Sequence, residues 1–246
     1  MAFQDHFSRQ ADVYVKGRPG YPDELFAYLA SLTAAHKLCW DCATGNGQAA
    51  ISLAKYFETV VATDGSSNQI EHALRKPNIS YSVARAEQSG LPDNYTDLIT
   101  VATAAHWLNL EKFYEEVKRI SKPKGVLAIW TYSEALISPE MDQLMDWFMY
   151  DLLLEYWPLG RYQIRNKYET LAFPFKQIHT PDFVCKMRWN KEHWLNYIKS
   201  WSAYTNYTSK NKSDALQHLM PKLNALWGDA EEKEITWPLH LKCAAM

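Results

Sequence analysis

Leu38-Cys39-Trp40-Asp41-Cys42-Ala43-Thr44-Gly45-Asn46-Gly47-Gln48-Ala49-Ala50 is the stretch whose reading decides the fold. It begins as a short apolar run, passes an acid, turns through small residues and continues in a helix-like pattern. Asp64 follows at the end of a second apolar run, Val60-Val61-Ala62-Thr63. Strand, small-residue turn, helix, strand and acid form the opening of an α/β unit that holds a nucleoside at its strand ends. Gly45 and Gly47 have no side chains, so backbone there can come close to a ligand. The carboxylate of Asp64 is suited to accept hydrogen bonds from a ribose diol.

Working outward, hydrophobic periodicity and turn signals predict an alternating order of elements. Helices are expected over Asp23–Leu32, Gln48–Phe57, Ser66–Arg75 and Leu110–Ile120, with Ser66 as an N-cap. Strands are expected over Leu38–Asp41, Val60–Asp64, Ile79–Val83, Leu98–Ala102 and Val126–Thr131. The prediction is an α/β fold: a Rossmann-like doubly wound, mostly parallel sheet with helices on both faces. An aromatic-rich insertion follows strand five, helix-like from Pro139 to Glu155 and running to about Phe175. Phe183–Trp189 reads as a strand, Lys191–Ala203 and Ser213–Leu226 as helices, and Glu234–Lys242 as a closing strand in which Pro238 argues for an edge or a bulge. The whole is expected to be one domain, with residues 1–34 as an N-terminal cap and residues 139–178 as a cap over the substrate.

The glycine turn alone leaves two readings. Gly45-Asn46-Gly47-Gln48-Ala49-Ala50 fits the G-x-G-x-x-A turn of dinucleotide enzymes, and Asp64 lies 17 positions past Gly47, near the spacing of about 20 seen there. Asp41 argues against it, because a carboxylate beside the turn suits an amine and repels a pyrophosphate. With that acid, the stretch resembles motif I of the class I S-adenosylmethionine-dependent methyltransferases, in which Asp41, Ala43, Gly45 and Gly47 occupy the four key positions. Ala43 stands where the pattern usually has its first glycine. The N-terminal run Phe7, Ala11, Tyr14, Arg18-Pro19, Tyr21-Pro22 resembles the leader of small-molecule members of that family, the trans-aconitate-methyltransferase-like and plant embryo-abundant-like branches. Ala105-His106-Trp107 and Ser200-Trp201-Ser202-Ala203-Tyr204 fit the same branch.

The resemblance implies S-adenosyl-L-methionine as cofactor, lying across the ends of strands one and four. It implies cofactor contacts at Asp41, Ala43, Gly45, Gly47, Gln48 and Asp64, at Ala86 and Glu87 before Leu91-Pro92, at Ala102 and Thr103 where small residues leave room, and at Trp107. Trp107 would offer a ring face to a sulfonium cation or pack. Tyr14 would reach the methionine carboxylate or close the pocket, and Arg18 would pair with a carboxylate. His106 stands where substrate should enter, either as a general base, since its ordinary pKa is about 6.5, or as a hydrogen-bonded rim residue. Arg18, Arg161 and Arg165 are candidates for holding an acidic acceptor, because the guanidinium fork matches a carboxylate.

Composition narrows the partners. The chain of 246 residues is 47% hydrophobic and 22% charged, as soluble globular proteins are. A net charge of −2 offers no basic field for nucleic acid. No apolar run approaches the roughly 20 residues that span a bilayer, and the N-terminus lacks the pattern of a secretory signal; a cytoplasmic protein without membrane partners is the expectation, as monomer or homodimer. Ten Trp and fifteen Tyr exceed what a core requires, so some should line a pocket for a small-molecule substrate. Cys39 and Cys42 form a C-x-x-C, but Cys185 and Cys243 supply no second pair at zinc spacing, so no metal is expected. Two functions follow: transfer of a methyl group to an O, N or S atom of a small molecule, with a carboxylic acid among the candidates, or retention of the cofactor as a sensor or scaffold without transfer.

Overall fold

The computed structural model describes residues 18–158 and 160–246. Phe7, Ala11 and Tyr14 lie outside the described residues.

Five parallel strands carry the site: β1 (Leu38–Cys42), β2 (Thr59–Asp64), β3 (Ile79–Val83), β4 (Thr96–Ala102) and β5 (Ser121–Tyr132). They lie in the order β3-β2-β1-β4-β5, each neighbour pair parallel. The order reverses beside β1, so a crevice opens between the carboxyl ends of β1 and β4, where ligands bind in open α/β sheets. Antiparallel β8 (Glu232–Ala245) extends the sheet beyond β5, and β6 (Gln177–Ile178) and β7 (Phe183–Asn190) both pair with β8.

Alternate residues of the central strands point to opposite faces, and each face has its own core. Cys39, Leu98, Ala128 and Trp130 join one cluster, with Leu25, Phe26 and Leu29 of α1 (Asp23–Ser31) and Leu53 of α2 (Gln48–Leu53). Trp40, Ile99, Leu127 and Ile129 join the other, with Phe113, Val117 and Ile120 of α4 (Leu110–Ile120). Burial on both faces is why β1 reads Leu-Cys-Trp-Asp-Cys with every residue buried. At the amino end, Asp97 anchors the sheet: one oxygen accepts from the amides of Lys37 and Leu38 at 3.0 and 2.9 Å, and the other from Lys122 Nζ at 2.7 Å.

The elements shift from expectation for local reasons. Ser66 does cap α3 (Ser67–Glu71), accepting from the Gln69 amide at 3.4 Å, but α2 and α3 stop earlier than the apolar pattern suggests. Lys122–Gly125 does not separate α4 from the strand; β5 starts at Ser121 and the register with β4 shifts between Thr96 and Leu98. The expected helix Lys191–Ala203 is two, α7 (Lys191–Lys199) and α8 (Ser202–Asn211), broken where Trp201 takes extended backbone. The last helix, α9, covers Leu216–Trp227. Pro238 is not on an edge strand: β7 pairs with it through Val184, and its carbonyl accepts from Ser133 just past the end of β5. After β5 comes α5 (Pro139–Trp147), capped by Ser138. The chain then winds a π-helical turn, Phe148–Leu152, and a 3-10 turn, Leu154–Tyr156, before α6 (Arg161–Arg165). Among the described residues no helix is long and apolar enough to cross a membrane, and no group of three metal-ligating side chains gathers. All four cysteines are buried and free.

Candidate active site

The turn after β1 is built from left-handed backbone. Ala43, Gly45 and Gly47 have φ of 54°, 58° and 88°. Glycine takes such angles without strain, whereas Ala43 bears a cost of order 1 kcal/mol or more. A Cβ on Gly47 would fall 2.2 Å from the Tyr81 hydroxyl, which is itself tied to the Leu74 carbonyl at 2.6 Å. Gln48 starts α2 directly behind Gly47. The carboxylate of Asp64 links two loops: Oδ2 accepts from the Gly45 amide at 2.8 Å and Oδ1 from the Ser66 amide at 2.9 Å. Beside Gly45 lies Gln69, which is buried and whose Oε1 has no hydrogen-bond partner among the described residues. Buried polar atoms are rarely left unpaired, so this carbonyl next to an open glycine turn fits a ligand that brings a donor. Ala86 is buried; Glu87 accepts from the Asn109 amide at 3.2 Å and pairs with Arg85 at 3.5 Å. Ala102 ends β4, and Thr103, at φ 52°, meets the Tyr21 hydroxyl at 3.1 Å.

Asp41 is held differently from the free carboxylate its place in the sequence suggests. It is wholly buried; the Thr44 hydroxyl donates to one oxygen and the Thr100 hydroxyl to the other, the latter at 2.8 Å, and the Ala50 amide also supports it. Burial outweighs these donors and pushes its pKa from 3.8 up to about 6. Between those two pH values the folded protein keeps a proton that the unfolded chain has released, so this group's stabilisation is complete in acid and is lost as pH rises to about 6. The loss is at most about 3 kcal/mol. Asp41→Asn should therefore gain stability relative to the parent between pH 4.5 and 7, read by urea unfolding across that range; parallel pH curves for the two proteins would contradict the burial argument.

Past the ends of β4 and β5 opens a cavity that is partly continuous with solvent. Thr103, His106 and Trp107, from the end of β4 and the turn after it, line it, and Trp157, Trp194, Tyr197 and Trp201 supply aromatic wall. Charge enters at three points. Arg18 donates from Nη1 to the Tyr132 hydroxyl at 2.8 Å and lies over the Tyr197 ring. Arg161 pairs with Glu134 at 3.3 Å and lies over the Trp157 ring at 4.6 Å. Glu134 also accepts from the Tyr150 hydroxyl. Arg165 corrects the expectation of a third cation there: it is exposed, rests over the Tyr150 ring and does not line the cavity.

His106 lies in a 3-10 turn, Ala105–Trp107, with Nδ1 2.8 Å from the Tyr168 hydroxyl and its ring 4.6 Å from that of Trp107. Burial, aided by the nearby Arg161 cation, lowers its pKa to about 3. Such an imidazole is neutral at neutral pH and a poor proton acceptor, which weighs against the general-base reading. Trp107 is half exposed at the rim.

Several residues here were not singled out from the sequence as site residues: Gln69, Glu134, Trp157, Tyr168 and Tyr197. Trp194 and Trp201 do stand out by helical spacing, but that pattern reads as packing. They pack and line the cavity at once, being about 1% and 5% exposed. The aromatic richness from Trp147 to Phe175 signals a pocket without saying which rings face it.

Residues 40–129 match the methyltransferase domain family. A protein of Dictyostelium discoideum described as a methyltransferase is 31% identical over 97% of this chain and 94% of its own length. A Saccharomyces cerevisiae protein described as an S-adenosylmethionine-dependent methyltransferase is 24% identical over 81% of each chain. Among solved structures, one from Anaeromyxobacter dehalogenans, described as a type II methyltransferase, is 37% identical, covers 93% of this chain and 97% of its own, and superposes with a TM-score of 0.87.

Proposed function

Because the chain belongs to the class I S-adenosylmethionine-dependent methyltransferases, we propose that it binds S-adenosyl-L-methionine at the β1 turn and methylates a small, partly apolar molecule that carries a carboxylate. The observation that carries the acceptor class is the cavity at the end of β4, where aromatic walls stand beside the guanidinium groups of Arg18 and Arg161. Apolar pockets with a few convergent polar groups are what small ligands use.

On this reading Asp64 accepts from the ribose hydroxyls while it holds the Gly45 and Ser66 loops. Gln69 Oε1 takes a donor from the nucleoside or its amino-acid tail. Ala86 and Glu87 flank the adenine. When bound, the cofactor supplies an electrophilic methyl group on a cationic sulfur. Thr103 and Ala102 leave room for that group at the strand end, and the Trp107 ring favours a nearby cation. Arg18 and Arg161 orient the acceptor's anion, and residues 139–178 act as the cap that keeps water out. Alignment of this kind accounts for about 7–11 kcal/mol of a barrier in well-oriented systems.

Calorimetry with S-adenosylhomocysteine and NAD, followed by a labelled-methyl screen over pooled acids, thiols, amines and phenols, tests the reading. Micromolar binding of the first, none of NAD, and label in an acid pool are expected. Tight cofactor binding with no label in any pool would favour the sensor alternative, and NAD binding alone would overturn the assignment. Arg18→Gln should lower turnover of an acid more than of its amide; equal losses would remove Arg18 from the acceptor site.

A further inference from the structure

We propose that Tyr168 is a positioning residue that fixes His106 as the Nε2–H tautomer, so that His106 donates a hydrogen bond to an acceptor that arrives already ionised. This rests on the methyltransferase reading above and adds to it a residue, a proton position and a restriction on the acceptor.

The geometry begins with the buried phenol. Tyr168 is 0% exposed, and its hydroxyl lies 2.8 Å from His106 Nδ1. The amides of Ala105 and His106 face the phenolic oxygen, while the Thr131 hydroxyl donates to the Tyr132 carbonyl at 3.4 Å. With backbone amides turned toward its oxygen, the phenol directs its own proton at Nδ1, 2.8 Å away. A neutral imidazole that accepts at Nδ1 carries its hydrogen on Nε2. Burial keeps the phenol protonated well beyond neutral pH, so it remains a donor.

The backbone is strained to put it there. Lys167 and Tyr168 are consecutive non-glycine residues at φ 55° and 58°. Such a pair costs of order 1–3 kcal/mol per residue and persists only where the surroundings over-determine it. Bonds from the Lys167 and Tyr168 amides to the Ile164 and Gln163 carbonyls, at 2.8 and 2.9 Å, hold the turn. On the other side Gly160 closes on the imidazole: a Cβ there would be 3.1 Å from His106 Cδ2. The ring is thus clamped between a bare glycine and a buried phenol, on the wall of the cavity.

The charged groups around it agree with a neutral ring. Arg161 on α6 faces it and disfavours a second cation, while Glu134 is occupied by Arg161 and Tyr150. Arg18 lines the same cavity, bound to Tyr132. A neutral Nε2–H can orient an anion by the oxygen that does not react, but it cannot take a proton. Methylation of a carboxylate needs none removed: a lone pair of the carboxylate oxygen forms the new O–C bond, the C–S bonding pair stays on sulfur, and a neutral ester and a thioether result.

The test is to label the full chain with 15N-histidine and record long-range 1H–15N correlations of the imidazoles from pH 8 to pH 5, using His106→Gln to assign the signal. His106 should show one tautomer, protonated at Nε2, with no titration over that range. An Nδ1–H tautomer, or titration near its ordinary pKa, overturns the proposal on the parent protein alone. In Tyr168→Phe the single tautomer should be lost and KM for an acid acceptor should rise about tenfold, with S-adenosylhomocysteine affinity unchanged; an unaltered imidazole spectrum in that variant also overturns it. Methyl esters are the products expected from the screen, and methylation of phenols, which must shed a proton, overturns the acceptor restriction. Failure to bind S-adenosylhomocysteine would instead remove the methyltransferase reading, an outcome distinct from any result at the imidazole.

Discussion

Asp64→Ala lowers affinity for S-adenosylhomocysteine by about 10²–10³-fold, the largest expected effect of a single change on ligand binding. The side chain has two roles that fail together. Its oxygens receive the Gly45 and Ser66 amides at 2.8 and 2.9 Å, bonds to a charged acceptor worth about 1.5–3 kcal/mol each. They also stand at the end of β2 where a ribose diol would be read. Part of the loss falls on the free protein, so the binding change is smaller than the sum of the bonds, roughly 3–4 kcal/mol. Asp64→Asn keeps one acceptor oxygen and should fall between parent and alanine. Calorimetry on the three proteins checks the order. Loss of less than about threefold in the alanine variant would mean that the ribose is read elsewhere and that Asp64 only ties loops.

Removing Arg161 should have the largest effect on stability. Arg161 and Glu134 are each about 18% exposed in an aromatic wall, 3.3 Å apart. Arg161→Met leaves the carboxylate without its cation in a poorly solvated place, and breaking such a pair from one side costs about 3–5 kcal/mol when fully buried. Partial exposure and the Tyr150 hydroxyl reduce this to about 2–4 kcal/mol. Glu134→Gln added to Arg161→Met should recover most of it, because an amide tolerates the site without a counter-ion. Urea unfolding of the parent, both single variants and the double completes the cycle. A double variant no more stable than Arg161→Met would show that the cost came from lost packing over Trp157, not from a stranded charge.

How much of this was legible beforehand depended on how local each determinant is. The order from β1 to β5, the cap at Ser66 and the acid at the end of β2 are written in short-range signals: periodicity, a side-chain cap and glycines where backbone must turn left-handed. The position of Gly47 could be read as a close approach, although the neighbour it spares is Tyr81, which only the packing of β3 against the turn reveals. Asp41 was legible as a site residue, but its partner Thr100 is 59 positions away, so its burial and raised pKa were not. Arg161 and Arg165 sit one turn apart on the same short helix, yet one faces the cavity over Trp157 and the other lies exposed over Tyr150. Spacing cannot separate them, because the difference lies in what each finds across from it.

By itself, then, the sequence determined the succession of strands and helices up to β5, the place of the glycine turn and the acids around it, and through them the family; these rest on backbone conformation and periodicity, which neighbouring residues dictate. Only the tertiary structure decided the cavity. Arg18 precedes α1, His106 follows β4, Glu134 follows β5, Arg161 comes from α6, and Trp194 and Trp201 from α7 and its end. The proton state of His106 is set by Tyr168, 62 positions later, and by burial that no stretch of chain creates alone. Hydrogen bonds, ion pairs and desolvation act through space, so the chemistry of this site appears only once distant segments are packed against the ends of β4 and β5.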